Sequence, residues 1–228
     1  MARPALLVSD EPERNPERLR FGFPSYAQTI TDLVSLSENR TPLVIAIYGQ
    51  WGAGKTTLMQ TVLQNPNLAQ ERPGHRRCRA VQFDAWQTRD DESVLTALVE
   101  EVFRTIRQNG FSCPEQELVE FRRRYGGAKS LGPIARYLLA EGEVELLANP
   151  DYEAQRSRLP YLSTFRRFLD DLIGLYVEGK LPAANATVDD RKAALVIFID
   201  DLDRCSPRKV VEAFSGLKLF LDRPGCVF

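Results

Sequence analysis

Ile45-Ala-Ile-Tyr-Gly-Gln-Trp-Gly-Ala-Gly-Lys-Thr-Thr57 is the stretch from which the rest of the chain can be read. Gly49, Gly54, Lys55 and Thr56 fit G-x-x-x-x-G-K-[ST], the spacing of a phosphate-binding loop. Average residue usage puts a chance match at about one in a hundred for a chain of this length. The flanks agree with the motif. Leu43 to Tyr48 is an apolar run with the length of a buried strand, and Thr56 to Gln64 carries helix formers with Leu58, Met59, Val62 and Leu63 apolar. Glycines let the backbone curl and turn its N–H groups towards an anion, because no Cβ blocks the required φ and ψ. The helix that follows points its unpaired N–H groups and partial positive charge at the same anion. The expected contacts run through Gly49, Gln50, Trp51, Gly52, Ala53, Gly54, Lys55, Thr56 and Thr57. Lys55 would reach the β and γ phosphates of a nucleotide, and the Thr56 hydroxyl would ligate Mg²⁺.

Working outward, the second motif is Ala194-Leu-Val-Ile-Phe-Ile-Asp-Asp-Leu-Asp-Arg204. Its continuous apolar run suits a strand buried on both faces of a parallel sheet. Asp200 would stand at the C-terminal tip of that strand, where ligands bind in open α/β sheets. A carboxylate there can hold Mg²⁺ through its water shell, and Asp201 beside it can orient or deprotonate an attacking water. After it, Ser206 is a natural N-cap with Pro207 in the first helical position. Cys226-Val-Phe228 opens a further strand.

Between the motifs, Cys78 to Trp86 alternates as a strand, and Asp91 or Ser93 can cap a helix running to about Gln108. Before the loop, a helix is expected from Ser25 as N-cap to about Asn39. Residues 1–20 read as an extended arm. Residues 110–191 form a helical insertion with helices over Glu115 to Tyr125, Gly132 to Leu147 and Ser163 to Val177. In the last, Leu162, Phe165, Phe168, Leu169, Leu172, Ile173 and Tyr176 recur at helical steps as a core stripe, with Arg166, Arg167, Asp170 and Asp171 on the other side. Arg122, Arg123 and Arg124 read as a solvated face beside Glu117 and Glu120, not a nucleic-acid patch.

Composition is that of an ordinary soluble globular chain: 228 residues, 43% hydrophobic, 27% charged, formal net charge −1. That balance gives no sign of nucleic acid as a partner. The longest apolar runs are far short of a membrane span. Four dispersed cysteines and a single histidine, His75, argue against a zinc site and for reduced thiols in a cytoplasm.

Taken together, the motifs resemble the KAP family of P-loop NTPases. The resemblance rests on Phe21-Gly-Phe with Tyr26-Ala27, on Val44 to Thr57, on Phe83-Asp-Ala-Trp-Gln87, on Phe198 to Cys205, and on Leu219 to Phe228. It implies an α/β, three-layer P-loop fold whose parallel sheet has an extra strand between the loop strand and the Asp-Asp strand. The core then comprises residues 21–109 and 192–228, and 110–191 is left unmatched. The resemblance further implies that Phe21 and Gly22 border the adenine. Asp203 and Arg204 match the family motif, Asp203 being either a salt-bridge partner that holds Arg204 or part of the site, and Trp86 reads as core rather than as a ligand contact. A membrane link is usual in the family. Here that implies a cytoplasmic protein, peripheral at the inner face of a membrane, without a span. No Asn-Lys-x-Asp segment occurs, which favours ATP over GTP.

The function expected is Mg-dependent ATP binding and hydrolysis by a switch or motor domain, with Lys55 and Asp201 catalytic. The alternative is an ATP-binding scaffold with negligible hydrolysis that presents its insertion to a protein partner or to a second copy. By the family's strand order, Cys226 opens the strand that lies between the loop strand and the Asp-Asp strand. Three residues fill about half of a typical strand. The 228 residues are therefore expected to be a truncated portion of a longer ATPase, marginally stable and nearly inactive alone.

Overall fold

The computed structural model describes residues 22–88, 94–126, 162–182, 193–221 and 223–228. Phe21 and the N-terminal arm, the caps proposed at Asp91 and Ser93, the helix expected over Gly132 to Leu147 and most of the returning linker lie outside them. The elements are α1 (Phe23–Ser35), α2 (Lys55–Leu63), α3 (Pro66–Ala69), β1 (Arg77–Asp84), α4 (Val94–Asn109) and α5 (Glu115–Tyr125). They continue with α6 (Leu162–Glu178), β2 (Ala193–Asp200), α7 (Pro207–Leu221) and β3 (Cys226–Val227).

The sheet is parallel, in the order β1-β2-β3. β1 and β2 pair along their whole length, from Arg77 opposite Ala193 to Asp84 opposite Asp200. β3 joins lower down, with Cys226 opposite Leu195 and Val227 opposite Val196. Its other edge meets the segment that leads into the glycine loop. Leu43 N–H donates to Cys226 O at 3.2 Å, Phe228 N–H to Leu43 O at 2.9 Å, and Ile45 N–H to Phe228 O at 2.7 Å. β3 therefore lies between the Asp-Asp strand and the loop segment, the order that the family resemblance implies.

The expected strand over Leu43 to Tyr48 is reduced to an isolated bridge from Leu43 to Val227. Backbone bonds to β3 and Phe228 are made by Leu43 and Ile45, and none by Ala46 to Tyr48 among the described residues. Apolar character alone does not make a strand; it needs a neighbour to take its N–H and C=O groups. Tyr48 is 91% exposed.

Successive residues of β1 and β2 point to opposite faces, and both faces are covered. Val81, Phe83, Leu195 and Ile197 join a large buried cluster with residues of α4, α5, α6 and α7. Cys78, Ala194, Val196 and Val227 join a smaller one with Val34 of α1 and Leu68 of α3. Two helical layers thus enclose the sheet, which is the three-layer α/β arrangement expected.

Helix α6 belongs to that core. Phe165, Phe168, Leu169, Leu172, Ile173 and Tyr176 are buried in the same cluster as the strands. Phe168 touches four rings: Tyr125 at 5.1 Å, Phe121 at 5.6 Å, Phe103 at 6.1 Å and Phe165 at 6.3 Å between centroids. Phe168→Ala is expected to lower the unfolding free energy by about 3–5 kcal/mol, the usual range for a buried phenylalanine. Urea melts of both proteins would measure it. A loss below about 1 kcal/mol, the level of ordinary surface substitutions, would mean that this stripe does not hold the domain together.

Two surface readings change. Asp171 is buried, accepting from Tyr125 Oη at 2.7 Å and from Arg124 Nη1 at 2.9 Å. Arg124 also pairs with Glu120 at 2.9 Å, so it ties α5 to α6 and is not merely solvated. Burial, and then the bond to Asp171, push the Tyr125 hydroxyl above its ordinary range. Helical periodicity marked Asp171 as polar-facing, but α5 covers that side and supplies the charge that a buried carboxylate needs.

Helix α1 begins at Phe23, with Gly22 as its N-cap at φ +76°, and ends at Ser35, not Asn39. Arg76 stops it, donating to the carbonyls of Leu36, Ser37 and Asn39 as the chain leaves the helix. β1 ends at Asp84 and not at Trp86, because the Asp84 carboxylate accepts from Trp86 N–H at 3.0 Å and starts a 3₁₀ turn over Ala85–Gln87. Ser206 caps α7 as expected, through Lys209 N–H at 3.4 Å, with Pro207 first in the helix. Among the described residues, no helix is long and apolar enough to cross a membrane.

Candidate functional site

The glycine loop, residues 49–54, connects the Leu43 segment to α2. Gly52 and Gly54 have φ of +75° and +85°, a region that residues with a Cβ rarely enter. A Cβ on Gly54 would also lie 2.7 Å from the Phe23 ring, so the first residue of α1 closes on the end of the loop. The loop curls back on itself. Ala53 N–H donates to Gln50 O at 3.1 Å, and a Cβ on Gly49 would meet the Ala53 methyl at 3.2 Å. Lys55, Thr56 and Thr57 form the first turn of α2, whose leading N–H groups have no acceptor within the helix.

Lys55 folds back over the loop. Its Nζ donates to Gly49 O at 3.2 Å and Gln50 O at 3.4 Å, and lies 3.5 Å from an Asp203 carboxylate oxygen. That ion pair joins the loop to the turn after β2, bringing together two motifs far apart in the chain. Asp200 ends β2, 8% exposed, opposite Asp84 on β1. Its Oδ1 accepts from Asp201 N–H at 2.9 Å. Asp201 follows with φ +54°, the one non-glycine residue at positive φ among those described. Burial, and next the charge of Asp200, push the Asp201 carboxyl up; Asp84 and Asp203 add to this, and Arg204 opposes it.

Two readings of the sequence are decided here. One of the alternatives open for Asp203 was that it holds Arg204. Instead Arg204 Nε pairs with Asp201 Oδ1 at 3.0 Å, and Asp203 turns to Lys55. The turn over Leu202–Arg204 is 3₁₀, in which side chains three apart eclipse one another, so Arg204 falls over Asp201. Trp86 was expected in the core. It is 57% exposed and lies under the Arg204 guanidinium, 5.7 Å from its ring centroid.

The structure thus brings the loop and Lys55, through Asp203, beside the turn after β2, with Asp200 and Asp201 at the C-terminal end of the central strand. Gly22 stands at the start of α1, next to the Phe23 that packs on Gly54. Sequence reasoning missed Phe23 and gave Asp84 no role. A second apolar strand ending in an aspartate was the available signal for Asp84. Trp51, in the loop, is 79% exposed.

A family model described as the KAP family P-loop domain matches residues 23–120 and 164–228. The chain belongs to the KAP family of P-loop NTPases. The KAP match takes in the start of α5 and nearly all of α6, so the family resemblance extends into the stretch 110–191 that was expected to be unmatched. Between its two parts it leaves residues 121–163 uncovered. This KAP domain is also similar to the phage T7 exclusion protein of Escherichia coli (strain K12), 25% identical over 234 residues, covering 95% of this chain and 28% of that protein. The chain therefore spans less than a third of that relative's length. No solved structure matches it.

Proposed function

We propose that this KAP domain binds ATP with Mg²⁺ and hydrolyses it, acting as a switch or motor domain. The observation that carries the reading is the Lys55–Asp203 ion pair at 3.5 Å, which sets the glycine loop against the Asp-Asp turn. Loop N–H groups and the first turn of α2 would hold the phosphates, with Lys55 leaving its carbonyl contacts to reach them. Thr56 and Asp200 are hard oxygen donors suited to Mg²⁺. Among the described residues no group of three or more His, Cys, Asp or Glu side chains could hold a metal. Mg²⁺ keeps several waters and is completed by substrate phosphates, so it needs few protein oxygens. When bound, Mg²⁺ would neutralise charge developing on the β and γ oxygens.

Asp201 is the group proposed to orient the attacking water. Gly22, with Phe21, is proposed at the base. Release of γ-phosphate contacts would loosen the turn after β2, the usual device of such switches. A cytoplasmic setting is part of the proposal, supported by the four free thiols. So is a protein partner or self-association.

The test is a titration with ATP, GTP and pyrophosphate, with and without Mg²⁺, read through the exposed Trp51. It is followed by single-turnover hydrolysis with the protein in excess. ATP binding strengthened by Mg²⁺, then a slow release of phosphate within the single turnover, as befits a chain expected to be nearly inactive alone, is expected. No response to any of the three ligands at millimolar concentration would end the reading.

A further inference from the structure

The turn after β2 places Asp201 among like charges. Asp200 precedes it, Asp84 stands at the neighbouring strand tip, and Asp203 follows on the same turn. Its backbone is held at φ +54°, where a non-glycine residue is strained unless its surroundings fix it. Lys55 is turned to Asp203. What faces Asp201 is Arg204, whose Nε meets Oδ1 at 3.0 Å. The backbone reinforces the pair: Arg204 N–H donates to Asp201 O at 3.2 Å. The guanidinium lies over the ring of Trp86, which is 57% exposed. Asp84, through Trp86 N–H, fixes the turn that carries the indole.

We propose that Arg204 is a positioning residue for hydrolysis: braced on Trp86, it holds the Asp201 carboxylate by Oδ1 so that the other oxygen is aimed at the attacking water. This rests on the reading of Asp201 given above. Without the guanidinium, repulsion from Asp200 and Asp203 turns the carboxylate away from the water's position. Arg suits the task better than Lys because its planar, weakly hydrated head can pair with a carboxylate and stack on an aromatic face together.

The test compares the wild-type chain with Arg204→Ala, Arg204→Lys and Trp86→Leu. ATP affinity is measured by calorimetry, single-turnover hydrolysis by phosphate release, and folding by thermal melting. Arg204→Ala is expected to slow the chemical step about tenfold or more, the scale of losing orientation at one group, while ATP affinity stays within about twofold. Arg204→Lys should recover part of the rate, and Trp86→Leu should fall between wild type and Arg204→Ala. A readout without nucleotide comes from a Trp51→Phe background, where Trp86 is the remaining tryptophan. There Arg204→Ala should increase quenching of Trp86 by acrylamide.

Unchanged turnover in a folded Arg204→Ala protein overturns the inference and leaves the ATPase reading standing. Loss of ATP affinity in Arg204→Ala and Arg204→Lys alike also overturns it, by making Arg204 a ligand contact. A wild-type chain that binds no ATP, or binds it without turnover, overturns the reading of the site and this inference together.

Discussion

Lys55→Ala is expected to abolish tight Mg-ATP binding and to leave the fold intact. The Lys55 ammonium has no core partner. It touches two loop carbonyls and Asp203, and its side chain is 23% exposed. An ion pair with a partner as exposed as Asp203 contributes about 0–1 kcal/mol to stability, so the melting temperature should barely move. The nucleotide, in contrast, would lose charge-assisted hydrogen bonds to its phosphates, worth about 1.5–3 kcal/mol each. One such bond is roughly a 10–100-fold loss of affinity, and two would place binding beyond ordinary calorimetry. Equal affinities in wild type and Lys55→Ala would remove the phosphate-loop reading altogether.

Asp201→Asn is expected to slow hydrolysis far more than it weakens ATP binding. Loss of a positioned general base typically costs about 10²–10⁴-fold in rate. The substitution is a clean one. Asparagine enters the left-handed region at least as readily as aspartate, so φ +54° need not change. It keeps an oxygen for Arg204 and removes the charge. Asp200→Asn should behave differently, damaging the Mg²⁺ dependence of binding and of turnover together, because Asp200 ends β2 as the proposed partner of the ion. Rates of bound ATP under single-turnover conditions separate the two. Wild-type turnover in Asp201→Asn would reduce Asp201 to a charge that ends a strand.

Much of the architecture was legible because it is written in short-range patterns. Helix α5 has the bounds that its apolar spacing and end charges suggest, and α6 differs by one residue at each end. The unbroken apolar run of β2 announced burial on both faces. Ser206 and Pro207 marked the start of α7. The phosphate loop was legible because its conformation needs glycine at particular steps, and Gly52 and Gly54 do adopt positive φ. Each of these is set by residues within a few positions of one another.

Tertiary structure decided what those elements meet. Leu43 to Tyr48 has the composition of a strand, yet β pairing is a property of two segments, and among the described residues it meets β3 and Phe228 only through Leu43 and Ile45. Asp171 lies on the charged side of α6 by periodicity, but α5 packs there and converts it into a buried anchor for Arg124 and Tyr125. The allocation of charges around Asp200 was equally out of reach of the sequence alone. Asp203 and Arg204 are adjacent residues, and an ion pair between near neighbours is what proximity in the chain suggests. The 3₁₀ turn instead sets Arg204 over Asp201, and sheet order brings Lys55 from the other end of the domain to Asp203. Geometry within one turn, the Arg204–Asp201 pair included, is set locally; the Lys55–Asp203 and Arg124–Asp171 pairs join residues far apart in the chain, which only the packing of their elements brings together.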